Sequence, residues 1–265
     1  MKSLAAKEVA RLERLGPRLA NPVDLDVAIH GTRKCIKRLR AFLRLARRSI
    51  GTSTYRTENG ALRDTARLLA PARDAYVLID TARDLDAPDG ILIRLHEDYS
   101  AAIADLEDGS RIEAVRRLEA IAGRWRLLDW HGPDSRSIGA GLLRTYRRGL
   151  IDLETARAIP TSAAFHGWRR RVKYLRYQLE ALDAPNKFLG PYTLLGDDLG
   201  LEHDQTVLLD VCELHADDGA FASLSHRSLE RREQLRVSAI SRGAPLFDEE
   251  PESFRRTVEE MIGLR

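Results

Sequence analysis

Two stretches of the chain repeat one another at an offset of 136 residues, and both carry the period of a helix. Residues 29–45 read IHGTRKCIKRLRAFLRL and residues 165–181 read FHGWRRRVKYLRYQLEA, identical at seven of 17 positions. The matches include His30/His166, Gly31/Gly167, Arg33/Arg169, Lys37/Lys173 and Arg40/Arg176, and Lys34/Arg170 keeps the charge. A unit that recurs once at so long a spacing points to a fold made of two related halves, divided at about residue 132, within one domain over 1–265.

The repeat also dictates what each helix presents. At about 100° per residue, Arg33, Lys34, Lys37, Arg40, Arg44 and Arg48 fall within about 80° of His30, while Cys35, Leu39, Phe42, Leu43 and Ala46 fall on the far side. The second copy sets His166, Arg169, Arg170, Lys173 and Arg176 against Val172, Leu175, Leu179 and Leu182. It is less regular, because Arg171 falls toward the apolar side and Glu180 interrupts the strip. Each helix thus buries one face and offers a cationic one. Like charges three and four residues apart repel, and solvated helix faces ordinarily intersperse both signs. Between His30 and Arg48 there are eight Arg or Lys and no Asp or Glu, so a bound polyanion is what would relieve the repulsion. Arginine outnumbers lysine 37 to 6, and arginine grips phosphate oxygens in bidentate fashion. A phosphate beside the two matched histidines would raise their affinity for protons.

The rest of the chain reads as helix. Apolar residues recur at three and four, and alternating strand-like runs are absent. The spacing predicts helices over about 4–19, from Asn21-Pro22 to Ser49 with a stop at Gly51, and over 57–70, 73–85, 89–108 and 110–128. After a turn at His131-Gly132-Pro133-Asp134-Ser135 come 138–158, 161–183, 187–199, 203–217, 218–241 and 251–263. No run of 18 apolar residues is present to span a bilayer, and the first 20 residues mix charge throughout, unlike a signal peptide. Cys35 and Cys212 are too few for a disulfide framework or a cysteine zinc site, and fit reduced cytosolic thiols.

These features resemble the CHAD domain, the conserved-histidine α-helical domain, over almost the whole chain. HGTRKCIKRLR and HGWRRRVKYLRYQLE are similar to the two signature helices of that family. Each is followed by a second motif, LLAPARDAYVLID at 68–80 and LGDDLGLEHDQTVLLD at 195–210, which set Arg73-Asp74 opposite His203-Asp204. YRRGL at 146–150 and GAPLFDEEPESF at 243–254 add to the likeness. The resemblance implies an all-α fold of two pseudo-symmetric four-helix-bundle-like halves around a basic central channel. It implies inorganic polyphosphate as the partner, a place at cytoplasmic polyphosphate granules, and no catalytic residue, metal or cofactor. Carried over by position, the binders are His30, Arg33, Lys34, Lys37, Arg40 and Arg44, with His166, Arg169, Arg170, Lys173 and Arg176; Arg73 joins them. Arg144, Arg147 and Arg148 form an i, i+3, i+4 cluster before the second signature and are expected to line the same channel. The triphosphate-tunnel motif Glu-x-Glu-x-Lys that some relatives carry is missing.

Two other readings compete. His203-Asp204 could belong to an HD-type metal phosphohydrolase, but Arg73 stands at the matching position of the repeat and cannot ligate a metal. Asp74 and Asp204 then read as structural, as helix caps or as salt-bridge partners that position neighbouring arginines. A cationic helix also suits nucleic acid, yet Tyr174 and Tyr177 are the only aromatic candidates for stacking on the strips.

Overall fold

The computed structural model describes residues 2–130, 135–261 and 263, and among them every regular element is a helix. The first half holds α1 (Lys2–Glu13), α2 (Leu15–Ala20), α3 (Leu25–Ile50), α4 (Thr52–Leu68), α5 (Ala70–Arg83), α6 (Asp89–Asp105) and α7 (Arg111–Leu127). The second holds α8 (Ser135–Ala158), α9 (Ser162–Ala181), α10 (Asn186–Leu214), α11 (Gly219–Gly243) and α12 (Pro251–Met261). None is long and apolar enough to cross a membrane.

Several boundaries differ from the sequence expectation, each for a local reason. The helix expected over 4–19 is two, parted at Arg14. The long helix starts at Leu25 rather than beside Asn21-Pro22, because the Asp24 carboxylate accepts a hydrogen bond from Val27 N at 3.1 Å and caps it there. It ends as expected, where Gly51 takes a φ of 80°. The two helices expected at 187–199 and 203–217 are the single α10. Its Gly196 and Gly200 do not break it; they are buried where α10 lies close against α9, and a Cβ on Gly200 would sit 3.6 Å from Lys173 Nζ. Of the turn expected at 131–135, residues 131–134 lie outside the described ones.

Three apolar clusters hold the molecule together. One fills the first half around Ile36, Leu39, Phe42, Trp125 and Trp130. A second fills the other half around Tyr146, Phe165, Trp168, Leu195 and Phe254. The third joins α5 and α6 to α10 and α11 through Ile79, Ile91, Leu208 and Phe221. Both cysteines are buried and unpaired in these cores, and all three tryptophans are core residues.

α3 and α9, the two repeat helices, pack on each other at the centre. Leu45 of α3 belongs to the second cluster and Ala181 of α9 to the first, so each helix lends a residue to the other half. Gln178 Nε2 donates to Ala41 O at 3.4 Å across the crossing. Around this pair α4 packs on α3 and α10 on α9, α6 on α5 and α11 on α10, α7 on α2, and α12 on α8, while α8 packs on both α9 and α3.

Candidate functional site

The crossing of α3 and α9 turns their cationic faces into one cleft of about 730 Å³, whose far walls are α5 and α10. His30, Arg33, Lys34 and Lys37 line it from α3, His166, Arg169, Lys173 and Arg176 from α9, and Arg73 from α5. Nine of the 15 residues singled out in the sequence therefore meet in one place.

Neighbouring groups hold these side chains in position. Arg33 donates to Ala66 O at 3.0 Å and to Asp74 Oδ1 at 3.1 Å, so Asp74 aims an arginine as the sequence suggests. Arg176 reaches Asp197 Oδ1 at 3.4 Å. The start of α9 is capped by the Thr161 hydroxyl, which accepts from Ala164 N at 3.2 Å. It is tied from outside by Arg236, which donates to Glu202 Oε1 at 2.9 Å, to Pro160 O at 2.9 Å and to Ser162 Oγ at 3.3 Å. Arg236 and Glu202 are both buried, so this pair anchors the helix that carries His166.

The electrostatics are those of a cation cluster partly withdrawn from water. Burial, then Arg169 and Lys37, pulls the Lys173 ammonium down to about 7. Burial, then Arg169 and Arg33, pulls Lys37 down to about 8. His30 is lowered by burial and then by Arg73, Lys34, Lys37 and Arg33; His166 by burial, Arg169 and Arg170. Burial lowers the pKa of Arg169, and its Nε is buried without a hydrogen-bond partner. A buried guanidinium N–H left unbonded is costly, and a ligand oxygen in the cleft would remove that cost.

The remaining six stand elsewhere. Arg40 turns to α4, where its Nε donates to Asn59 Oδ1 at 3.1 Å. Arg147 pairs with Glu252 of α12 at 2.9 Å. Arg170 is exposed and outside the cleft lining. Arg44, Arg144 and Arg148 surround a separate hollow of about 150 Å³ between α3, α8 and α9. The strip on α3 is continuous in sequence, but α9 crosses it, so its two ends face different spaces. The irregular residues of the second copy are explained by pairing: Arg171 donates to Asp152 Oδ2 at 3.1 Å, and Glu180 accepts from Arg38.

The cleft also holds His203, Asp204, Asp74 and Tyr177, which sequence reasoning does not place among the binders. The signal for them is the second motif, whose Arg73-Asp74 and His203-Asp204 pairs face the two strips. His203 packs on His166, ring centroids 4.9 Å apart, and burial followed by Arg169, His166, Lys173 and Lys37 holds its imidazole down to about 3. Burial raises the Asp204 carboxyl while Arg169 and Lys173 pull it back. No group of three or more His, Cys, Asp or Glu side chains is arranged to hold a metal among the described residues.

Fold and site together define an all-helical protein in which two like helices present histidine, arginine and lysine to one cleft. The chain belongs to the CHAD domain family, whose profile matches residues 4–213. Among solved structures it is similar to the crystal structure of the CHAD domain from the plant Ricinus communis, with 18% sequence identity and a TM-score of 0.62. That match covers 97% of this chain and 89% of the other, and at this identity it shows the fold. No curated protein matches.

Proposed function

We propose that the protein binds inorganic polyphosphate in the α3–α9 cleft, without turning it over, and that this holds it at cytoplasmic polyphosphate granules. In this reading the two repeat halves, about 1–132 and 133–265, are matching four-helix-bundle-like units and the cleft between them is the basic central channel. The observation that carries the reading is the convergence of both strips on one cleft, with the Arg169 Nε buried and unbonded at its wall. A chain of phosphates supplies what this site lacks: negative charge at regular intervals, with oxygens for fork-shaped arginine contacts. The binding set is His30, Arg33, Lys34, Lys37, Arg73, His166, Arg169, Lys173 and Arg176. Family membership supports a binding module rather than an enzyme. The neighbours of His203 support the same view, since a metal ion there would face Arg169, Lys173 and Lys37. The cleft lining contains one aromatic ring besides its histidines, Tyr177, which does not favour a stacked nucleic acid.

The test is a titration with polyphosphates of graded length at two salt concentrations, with duplex DNA as competitor. Long chains bind far more tightly than diphosphate, because only they reach both strips together. Affinity falls with salt at roughly 0.7 in log–log slope for each phosphate contacted. Equal affinity for diphosphate and the long polymer, or divalent-dependent loss of chain length, overturns the proposal.

A further inference from the structure

The two ends of the α3–α9 crossing are built from matched positions of the repeat, yet one is neutral and the other positive. At one end Arg38, almost fully buried, donates to Glu8 Oε1 at 3.3 Å and to Glu180, and Arg11 reaches Glu8 at 3.3 Å. Two arginines and two glutamates neutralise one another there. Moving each residue by the 136-residue offset gives the other end. Glu8 becomes Arg144, Arg38 becomes Tyr174, and Arg44 stands where Glu180 does. Leu12 becomes Arg148 and Cys35 becomes Arg171. Both neutralising carboxylates are thus replaced by arginines, and Tyr174, the match of Arg38, lines a hollow of about 150 Å³.

Arg44, Arg47, Arg144, Arg148 and Arg171 line this hollow, and no carboxylate does among the described residues. Of the five, Arg171 has an acidic partner, Asp152 at 3.1 Å. Arg44 lies over the Tyr174 ring at 3.9 Å and donates to Arg40 O at 2.7 Å; Arg47 lies over Tyr55 at 5.1 Å. One face of each ring is therefore covered by a guanidinium group, which does not favour a stacked base. Arg144 has its pKa lowered by burial and then by Arg48 and Arg47. The hollow shares no lining residue with the cleft and has about a fifth of its volume.

We infer that the hollow between α3, α8 and α9 is a second anion site, distinct from the cleft, which takes one compact phosphate of orthophosphate to diphosphate size. Three helices supply guanidinium groups from different sides, which suits a tetrahedral dianion better than a planar carboxylate. The ligand replaces the charge that Glu8 and Glu180 supply at the opposite end.

The experiment measures inorganic diphosphate and long polyphosphate binding by calorimetry in phosphate-free buffer. It compares wild type, Lys37→Glu/Lys173→Glu in the cleft, and Arg144→Glu in the hollow. Arg144→Glu restores the acid found at the matching position, so it keeps the fold and melts no lower than wild type without ligand. Diphosphate affinity falls at least tenfold in Arg144→Glu and stays within about threefold in the cleft variant, while long-chain affinity does the reverse. Loss of diphosphate binding in the cleft variant with retention in Arg144→Glu overturns the inference, as does equal loss of both ligands in both variants. Should Arg144→Glu melt early, Arg148→Gln is measured in its place with the same expected pattern. The long-chain arm judges the polyphosphate reading by itself: that reading fails if long-chain affinity is unchanged in the cleft variant, whatever happens in the hollow.

Discussion

Arginines of the outer helix faces and arginines of the cleft occupy the same kind of helix and meet opposite fates. On α7, Glu113 accepts from Arg116 at 2.7 Å and from Arg117 at 2.6 Å, and those hydrogen bonds hold its carboxyl at about 2. On α12, Arg255 is bracketed by Glu252 and Glu259 one turn to either side, and on α8 Arg157 pairs with Glu154 at 2.8 Å. These are local pairs on one helix, three or four residues apart. In the cleft, the acids that reach the cations of α3 and α9 come from other helices: Asp74 from α5, and Asp197 and Asp204 from α10. Arginine content alone therefore says little. What matters is whether the helix that carries the arginines also carries their counter-charge.

The sharpest way to break this contrast is charge reversal on both sides of it. Lys37→Glu with Lys173→Glu removes two charge-assisted contacts worth about 1.5–3 kcal/mol each, so long-chain polyphosphate affinity falls by about 100-fold or more. Arg116→Glu with Arg117→Glu, the same charge change on α7, leaves that affinity within about twofold. Filter-binding titrations of the two variants decide it, and equal losses would mean that net charge rather than the cleft governs binding.

Next comes the buried neutral end of the crossing. Glu8 is fully buried, and burial raises its carboxyl pKa against the pull of Arg11. Glu8→Ala leaves Arg38 short of a buried partner and destabilises the protein by about 3 kcal/mol, which denaturant melting reads directly. Polyphosphate affinity measured on the folded fraction stays unchanged, since neither residue lines the cleft.

The cleft and the rest of the protein also separate by pH. Lys173 at about 7 and Lys37 at about 8 lie below the 10.5 of a free lysine. The unfolded chain then binds more protons than the folded one, so the stability of the empty protein rises as pH climbs from about 7 to about 10. Bound phosphate raises both lysines, so binding takes up protons and affinity falls over the same window, by up to about tenfold per pH unit for each lysine that must be protonated. His30 and His166, both depressed, add a further gain below neutrality. His30→Gln with His166→Gln flattens the profile below about pH 7 and keeps the lysine-driven fall above it. Calorimetry in buffers of different ionisation enthalpy counts the protons, and a flat profile from about pH 6 to about pH 9 would place none of the four groups against phosphate.

The smallest effect belongs to the outer faces. Glu154→Gln removes the pair with Arg157 and changes stability by about 0.5 kcal/mol or less, with no change in polyphosphate affinity. A larger stability loss would mean that the local pairs of the outer helices contribute more than their exposure allows.

Helicity, the apolar faces and the two cationic strips are legible in the sequence because all follow from a period of about 3.6 residues along one chain segment. The pairing of His30 with His166 and of Lys37 with Lys173 is legible because the repeat states it in letters. What the period does not say is which space each turn of a strip faces. Lys37 and Arg44 stand two turns apart on one face of α3; α9 passes between them, so Lys37 enters the cleft and Arg44 the hollow. Gly200 falls between the two helices expected at 187–199 and 203–217, whereas α10, packed against α9 there, is whole. His203 looks like half of a metal motif until α10 is set against Arg169 and Lys173. Letters along the chain were enough for the helical class and for the charge on each face, because both are properties of single segments; the division at Arg14 and the continuity of α10 were not legible in them. Which charges share a space and lose their water was settled in three dimensions. Desolvation and pairing depend on neighbours, and the crossing of α3 and α9 brings those together from residues 136 apart.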